Sequence, residues 1–144
     1  MKNCFYTFFF IFHIILLQSC DHVYDSRINN KSSNNISVTI FYDRQKLDSI
    51  YKFDVKSYNA YLRYLVNNNS LPFRFFDSAN LTTKYIIPKN AQLVIEHGMN
   101  SLPSYIIISK IEISVGDKLT VYKNQSLNTV FKKKSSGLWE LEIK

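Results

Sequence analysis

From residue 36 onward, apolar and polar side chains alternate over short stretches, and this period of two constrains the fold more than any other feature. Successive side chains of a β-strand point to opposite faces, so each such stretch predicts a strand with one buried face. Turn-forming residues separate the stretches, and about nine short strands with such turns are typical of a β-sandwich. The sequence therefore predicts an all-β fold, a small antiparallel β-sandwich in the style of an immunoglobulin domain. The alternation is found in residues 36–42, 51–55, 73–75, 92–96, 110–115 and 139–143.

Residues 111–122 carry the clearest signal for a hairpin. Gly116 and Asp117 form a two-residue loop, and glycine supplies the positive φ that such a turn needs. We expect Leu119 and Val121 to share a buried face with Ile111, Ile113 and Val115.

Residues 57–66 fit two kinds of structure. Tyr58, Leu62 and Leu65 lie on one face if the segment is helical, and Ser57 could cap that helix. The same segment also alternates, and its tyrosines and final Leu-Val favour a strand. We interpret it as a strand and keep one short helix as the alternative.

Several aromatic residues fall at strand spacing. Aromatic rings can stack on sugars, but at this spacing they more often belong to the core. We assign them to the core and regard Phe76 and Tyr122 as the better surface candidates, because both fall on faces opposite the expected core. The aromatic set is Phe73, Phe75, Phe76, Tyr85 and Trp139.

The N-terminus has the anatomy of a secretory signal. Lys2 precedes an apolar run over residues 5–17, which is shorter than the roughly 20 residues that cross a bilayer as a helix. We therefore predict that residues 1–19 are a cleaved signal peptide; an ordinary cleavage site near Ser19 and an uncleaved anchor are the alternatives.

Residues 17–20 read Leu-Gln-Ser-Cys. This tetrapeptide resembles the lipobox of bacterial lipoproteins, and the whole chain is similar in style to small lipoproteins of Bacteroidetes-type bacteria. The resemblance implies cleavage between Ser19 and Cys20, with Cys20 acylated as the first residue of the mature protein. It implies a protein anchored by lipid to a membrane of the bacterial cell envelope, and it carries over no active site.

The polar segment after Cys20 is rich in asparagine and serine. It has little apolar content to pack, so we predict a lipidated cysteine and flexible tether over residues 20–35 and a single β-sandwich domain over residues 36–144. Cys4 would leave with the signal peptide, and Cys20 is the only other cysteine, so no disulfide framework is expected.

The formal net charge of the chain is +7. A basic exported domain can meet anionic lipid, acidic glycan or an acidic protein, whereas the leader argues against nucleic acid. Lys132, Lys133 and Lys134 form the sharpest basic run, which is a possible contact for an anionic surface. The alternative is a solvated strand end that discourages edge-to-edge aggregation.

The sequence offers no catalytic constellation. Glu96 and His97 are adjacent and would point to opposite faces of a strand unless a bulge intervened. Asp21, His22 and Asp25 are three potential ligands in the expected tether, where only weak adventitious metal binding is expected. We therefore predict no catalytic residue, no metal site and no cofactor.

Three functions follow as hypotheses. The first is a non-enzymatic binding or accessory module that is anchored in the envelope and meets a protein or glycan. The second is an inhibitor or immunity-type lipoprotein that blocks an enzyme or toxin. A hydrolase with dispersed carboxylates is the third and has no supporting motif.

Overall fold

The computed structural model describes residues 23–99 and 102–144, so the predicted leader, the cleavage site and Cys20 lie outside the described residues. The described residues form nine strands and three short helices. In chain order these are β1 (Val23–Asn30), β2 (Ile36–Tyr42), α1 (Arg44–Ile50), α2 (Val55–Asn67), β3 (Phe73–Asp77), β4 (Thr82–Ile87), β5 (Gln92–Met99), β6 (Ile108–Val115), β7 (Lys118–Lys123), α3 (Asn124–Val130), β8 (Lys132–Ser135) and β9 (Leu138–Ile143).

The strands form two sheets around one hydrophobic core, which confirms the predicted β-sandwich class. The four-stranded sheet has the order β5-β1-β9-β8, and the five-stranded sheet has the order β3-β4-β2-β6-β7. Ile28 and Leu93 of the first sheet and Val38 and Ile111 of the second belong to the same buried cluster. All neighbouring strands are antiparallel except β1 and β9, which run parallel.

The flexible tether predicted over residues 20–35 is wrong for half of its length. Residues 23–30 form β1, which lies between β5 and β9 in the four-stranded sheet. The inward side chains of β1 alternate apolar and polar, and both polar members are fully buried and hydrogen-bonded: Ser26 pairs with the Tyr105 hydroxyl, and Asn30 donates to the carbonyl of Ile87. Buried polar groups with partners are compatible with a core.

The segments at 51–55 and 57–66 are not strands. Lys52 and Phe53 adopt positive φ angles of 51° and 63°, in the turn between α1 and α2. The side chain of Asp54 accepts hydrogen bonds from the amides of Lys56 and Ser57, so Asp54 caps α2 and the helical alternative is correct. Tyr58, Leu62 and Val66 form its buried face. No helix in the described residues is long and apolar enough to cross a membrane.

The hairpin of β6 and β7 is confirmed, but its predicted buried face is wrong. The two-residue loop places Val115 opposite Lys118, so Leu119 lies opposite Ser114 and Val121 opposite Glu112. Residues directly opposite each other share a face, and Leu119 and Val121 therefore point outward, 57% and 45% exposed.

The predicted core assignment of the aromatic residues holds only in part. Tyr85 is buried, and Trp139 is packed against the core, as predicted. Phe73 and Phe75 are 48% and 54% exposed on the outer face of the five-stranded sheet. The two surface candidates, Phe76 and Tyr122, are instead partly buried against the core.

Candidate functional site

A cleft lined by both polar and apolar side chains lies along β5, between the four-stranded sheet and the end of α2. Its volume is about 300 Å³, and we call it the β5 groove. The side chains of Tyr64 and His97 are 60% and 59% exposed, so the groove presents a flat aromatic ring and an imidazole to solvent. It is lined by Asp25, Tyr64, Leu65, Asn68, Asn69, Val94, Glu96 and His97.

One wall of the groove is fixed by the amide side chain of Asn69, which is buried after the end of α2. Its oxygen accepts from the backbone N–H of Val94 at 3.2 Å, and its nitrogen donates to the Val94 carbonyl at 3.3 Å. Asn69 thus pairs with the free edge of β5 as a neighbouring strand would. Its nitrogen also donates to the Leu65 carbonyl at 2.8 Å, which ties the edge of the sheet to α2.

Asp25 is the centre of a hydrogen-bonded row on the outer face of the four-stranded sheet. One carboxylate oxygen contacts Nδ1 of His97 at 2.7 Å, and the other accepts from the Arg27 guanidinium at 2.5 Å. Arg27 also donates to Gln92 at 3.1 Å. Partial burial by itself would raise the pKa of Asp25, but the hydrogen bonds from Arg27 and His97 outweigh it and hold that pKa below its usual value.

This row orients the imidazole of His97. Because Nδ1 of His97 faces Asp25, the ring has a fixed direction, and its Nε2 atom is the one not engaged by that carboxylate. Asp25 lies opposite His97 in the pairing of β1 with β5, so the contact depends on β1 being a strand.

Glu96 and His97 diverge, as the sequence predicts for neighbours on a strand. The register of β1 and β5 shifts by one residue, with Ser26 opposite Glu96 and Arg27 opposite Val94. This irregularity leaves Ile95 unpaired and lets both Ile95 and Glu96 point inward. The Glu96 carboxylate accepts from the Tyr24 hydroxyl and from the backbone amides of Ser104 and Tyr105, so it holds the 104–105 segment against β5.

A second, more apolar cavity of about 180 Å³ lies on the inner side of Glu96. Tyr51, Tyr61 and Tyr105 line it together with isoleucine side chains. Burial raises the pKa of Tyr61 to about 12 and also raises the pKa of Tyr51.

The lysine run forms β8, an edge strand of the four-stranded sheet. Lys134 forms an ion pair with Glu142 at 2.8 Å, and Lys132 lies opposite Glu140. Lys133 places its ammonium 5.6 Å from the centre of the Trp139 ring. Lysines on an edge strand discourage pairing with other sheets, and β9 carries the matching carboxylates for two of them.

The sequence named His97 and Asp25 but gave no reason to pair them. They are 72 positions apart, and the polar composition around Asp25 predicts a tether there. Tyr64 and Asn68 reach the groove because α2 is a helix that ends next to it. The interpretation of residues 57–66 as a strand therefore gives no reason to place them there. Asp21 and His22 lie outside the described residues, and residues 23–99 and 102–144 hold no group of three His, Cys, Asp or Glu side chains that could bind a metal.

No family model, no curated protein and no solved structure matches the chain. Fold and site together define a small two-sheet β protein with a polar groove at one sheet edge.

Replacing Arg27 with glutamine is expected to destabilise the fold more at neutral pH than in acid. A carboxyl whose pKa is lowered by folding stabilises the fold above its unfolded pKa of about 3.9, and this stabilisation is lost as the pH falls through the lower folded pKa. The variant removes the main partner of Asp25, so its deficit in the free energy of unfolding shrinks as Asp25 becomes protonated. Urea unfolding of both proteins at neutral and at acid pH measures the loss in the free energy of unfolding at each pH. An equal loss at both would show that Arg27 does not stabilise the fold through the Asp25 carboxylate.

Proposed function

We propose that this chain is a lipid-anchored protein of the bacterial cell envelope that binds a glycan in the β5 groove and does not catalyse a reaction. The anchor is proposed from the resemblance of Leu17-Gln18-Ser19-Cys20 to a lipobox. Acyl chains contribute about 0.8 kcal/mol per buried CH₂, and two or three of them hold a protein on a membrane essentially permanently.

The observation that carries the proposal of glycan binding is the composition of the groove wall. The exposed ring of Tyr64 offers a flat apolar face. The carboxylate of Asp25 and the amide of Asn68 lie in the same cleft. A sugar ring has apolar faces and a rim of hydroxyl groups, and this combination of an aromatic face with several hydrogen-bonding groups suits such a ligand.

A binding role also agrees with the contacts that Asp25 and His97 make within the protein. Asp25 shares its carboxylate between Arg27 and His97, so its charge is compensated inside the protein. The row therefore keeps the imidazole rigid, and a rigid hydrogen-bonding group loses little conformational entropy when a ligand binds.

The test is a screen of the protein against an array of bacterial-envelope and host oligosaccharides, followed by calorimetric titration of the best binder. Tyr64→Ala is expected to weaken that affinity about tenfold or more, equivalent to about 1.4 kcal/mol. Phe75→Ala is the matched control. Phe75 is similarly exposed, but it lies on β3 of the five-stranded sheet and does not line the β5 groove.

Binding that survives in Tyr64→Ala and is lost in Phe75→Ala would move the site to the five-stranded sheet. An array without any binder would refute the proposed glycan and leave the anchor to be judged by its own measurement.

A further inference from the structure

We propose that the end of the domain at which β1 begins lies against the bilayer, with Val23, Met99 and Leu102 in contact with lipid. This inference rests on the proposed lipid anchor at Cys20. It adds an orientation to that anchor, because a lipidated protein with a long tether would have no fixed face toward its membrane.

The first support is the length of chain between the proposed anchor and the fold. β1 begins at Val23, three positions after Cys20. A fully extended chain spans at most about 3.6 Å per residue, so three residues reach about 11 Å. An acylated Cys20 lies at the membrane surface, and the start of β1 is therefore held within about this distance of it.

The second support is the apolar character of that end. Val23 and Met99 are opposite each other where β1 and β5 pair, and they are 49% and 63% exposed. Leu102, three positions after Met99, is 70% exposed. Apolar side chains that are exposed at one end of a domain favour contact with another apolar phase, and the proposed anchor places the bilayer next to them.

The third support is what surrounds these side chains. Leu102 lines a cavity of about 300 Å³ together with Phe131 and Trp139. The turn between β8 and β9 reaches the same end, because the Gly137 carbonyl accepts a hydrogen bond from the Asp25 amide at 2.8 Å. Trp and Lys side chains are both common at membrane surfaces, and Lys133 lies over Trp139 beside this turn.

The lysine run contributes less charge to this end than its sequence suggests. Lys134 is paired with Glu142, and Lys132 lies opposite Glu140. The contact is therefore expected to be mainly apolar, and it should form on uncharged as well as on anionic bilayers.

The test uses the acylated protein, purified from native membranes and placed in phosphatidylcholine vesicles. Cys4 and Cys20 are the only cysteines of the chain, so Leu102→Cys supplies the single free thiol of the mature lipoprotein. That thiol is labelled with an environment-sensitive fluorophore. Leu119→Cys is the matched control, because Leu119 is also an exposed leucine, 57% against 70%, and lies on β7 of the other sheet.

The label at residue 102 is expected to shift to the blue and to be quenched severalfold more strongly by brominated phosphatidylcholine than the label at residue 119. Equal, weak quenching at both positions of an acylated protein would overturn the orientation and leave the anchor intact. A protein that carries no acyl group would refute the anchor and the orientation together.

Discussion

Replacing Tyr58 with alanine is expected to lower the free energy of unfolding by about 3–5 kcal/mol, the usual cost of truncating a buried aromatic side chain. Tyr58 is fully buried on the inner face of α2, and its hydroxyl accepts a hydrogen bond from Arg44 at 3.1 Å. The substitution therefore leaves a cavity and an unpaired donor. Urea unfolding followed by the fluorescence of Trp139, the only tryptophan of the chain, measures the loss.

Tyr64→Ala is the matched control for this experiment. Tyr64 lies on the same helix but is 60% exposed, so its truncation should change stability by less than about 0.5 kcal/mol. If residues 57–66 formed a strand, Tyr58 and Tyr64 would share one face and would respond alike. Similar losses in both variants would therefore contradict the helix.

Replacing Asn30 with alanine is expected to cost about 3 kcal/mol, because each buried polar group left without its partner costs about 1–3 kcal/mol. The Asn30 side chain is fully buried. Its amide nitrogen donates to the carbonyls of Asn34, Ile87 and Pro88, and its oxygen accepts from the backbone and the hydroxyl of Ser32. This one side chain therefore joins the end of β1 to the loop that follows β4.

The control for Asn30 is Asn34→Ala. The side chain of Asn34 is exposed, and only its backbone carbonyl takes part in the contacts of Asn30 and Ser32. The free energies of unfolding of the two variants, measured with urea, should differ by several times the experimental error. A flexible tether over residues 20–35 would make both substitutions neutral, so an unchanged midpoint for Asn30→Ala would contradict the placement of β1.

Strands with apolar inward residues could be predicted from the sequence. Apolar and polar side chains alternate in β2 and β9, in residues 92–95 of β5 and in residues 110–115 of β6, and the Gly116-Asp117 loop locates the hairpin of β6 and β7. In these elements the local pattern and the tertiary structure both favour a strand whose apolar side chains face the core.

β1 could not be recognised in this way because half of its inward side chains are polar. Ser26 and Asn30 are tolerated inside only because Tyr105 and the loop after β4 supply hydrogen-bond partners from distant parts of the chain. A pattern of hydrophobicity contains no information about such partners. The β5 groove was missed for the same reason, since Asp25 reaches His97 only when β1 pairs with β5.

The exposed face of β7 shows a different limit of prediction from the sequence. The sequence locates the loop, and the apolar character of Leu119 and Val121 predicts that both are buried, but the register that the loop imposes turns both side chains outward. A two-residue loop fixes which residues lie opposite each other. Counting from Val115 and Lys118 would have placed both side chains outside.

The lipid anchor is tested most simply by the intact mass of the protein extracted from native membranes, measured beside that of a Cys20→Ser variant. We expect the wild-type mass to equal that of residues 20–144 plus acyl groups, and we expect the variant to remain unprocessed. A wild-type chain that carries no acyl group, or that retains residues 1–19, would contradict the lipid anchor and the proposed place of this protein in the envelope.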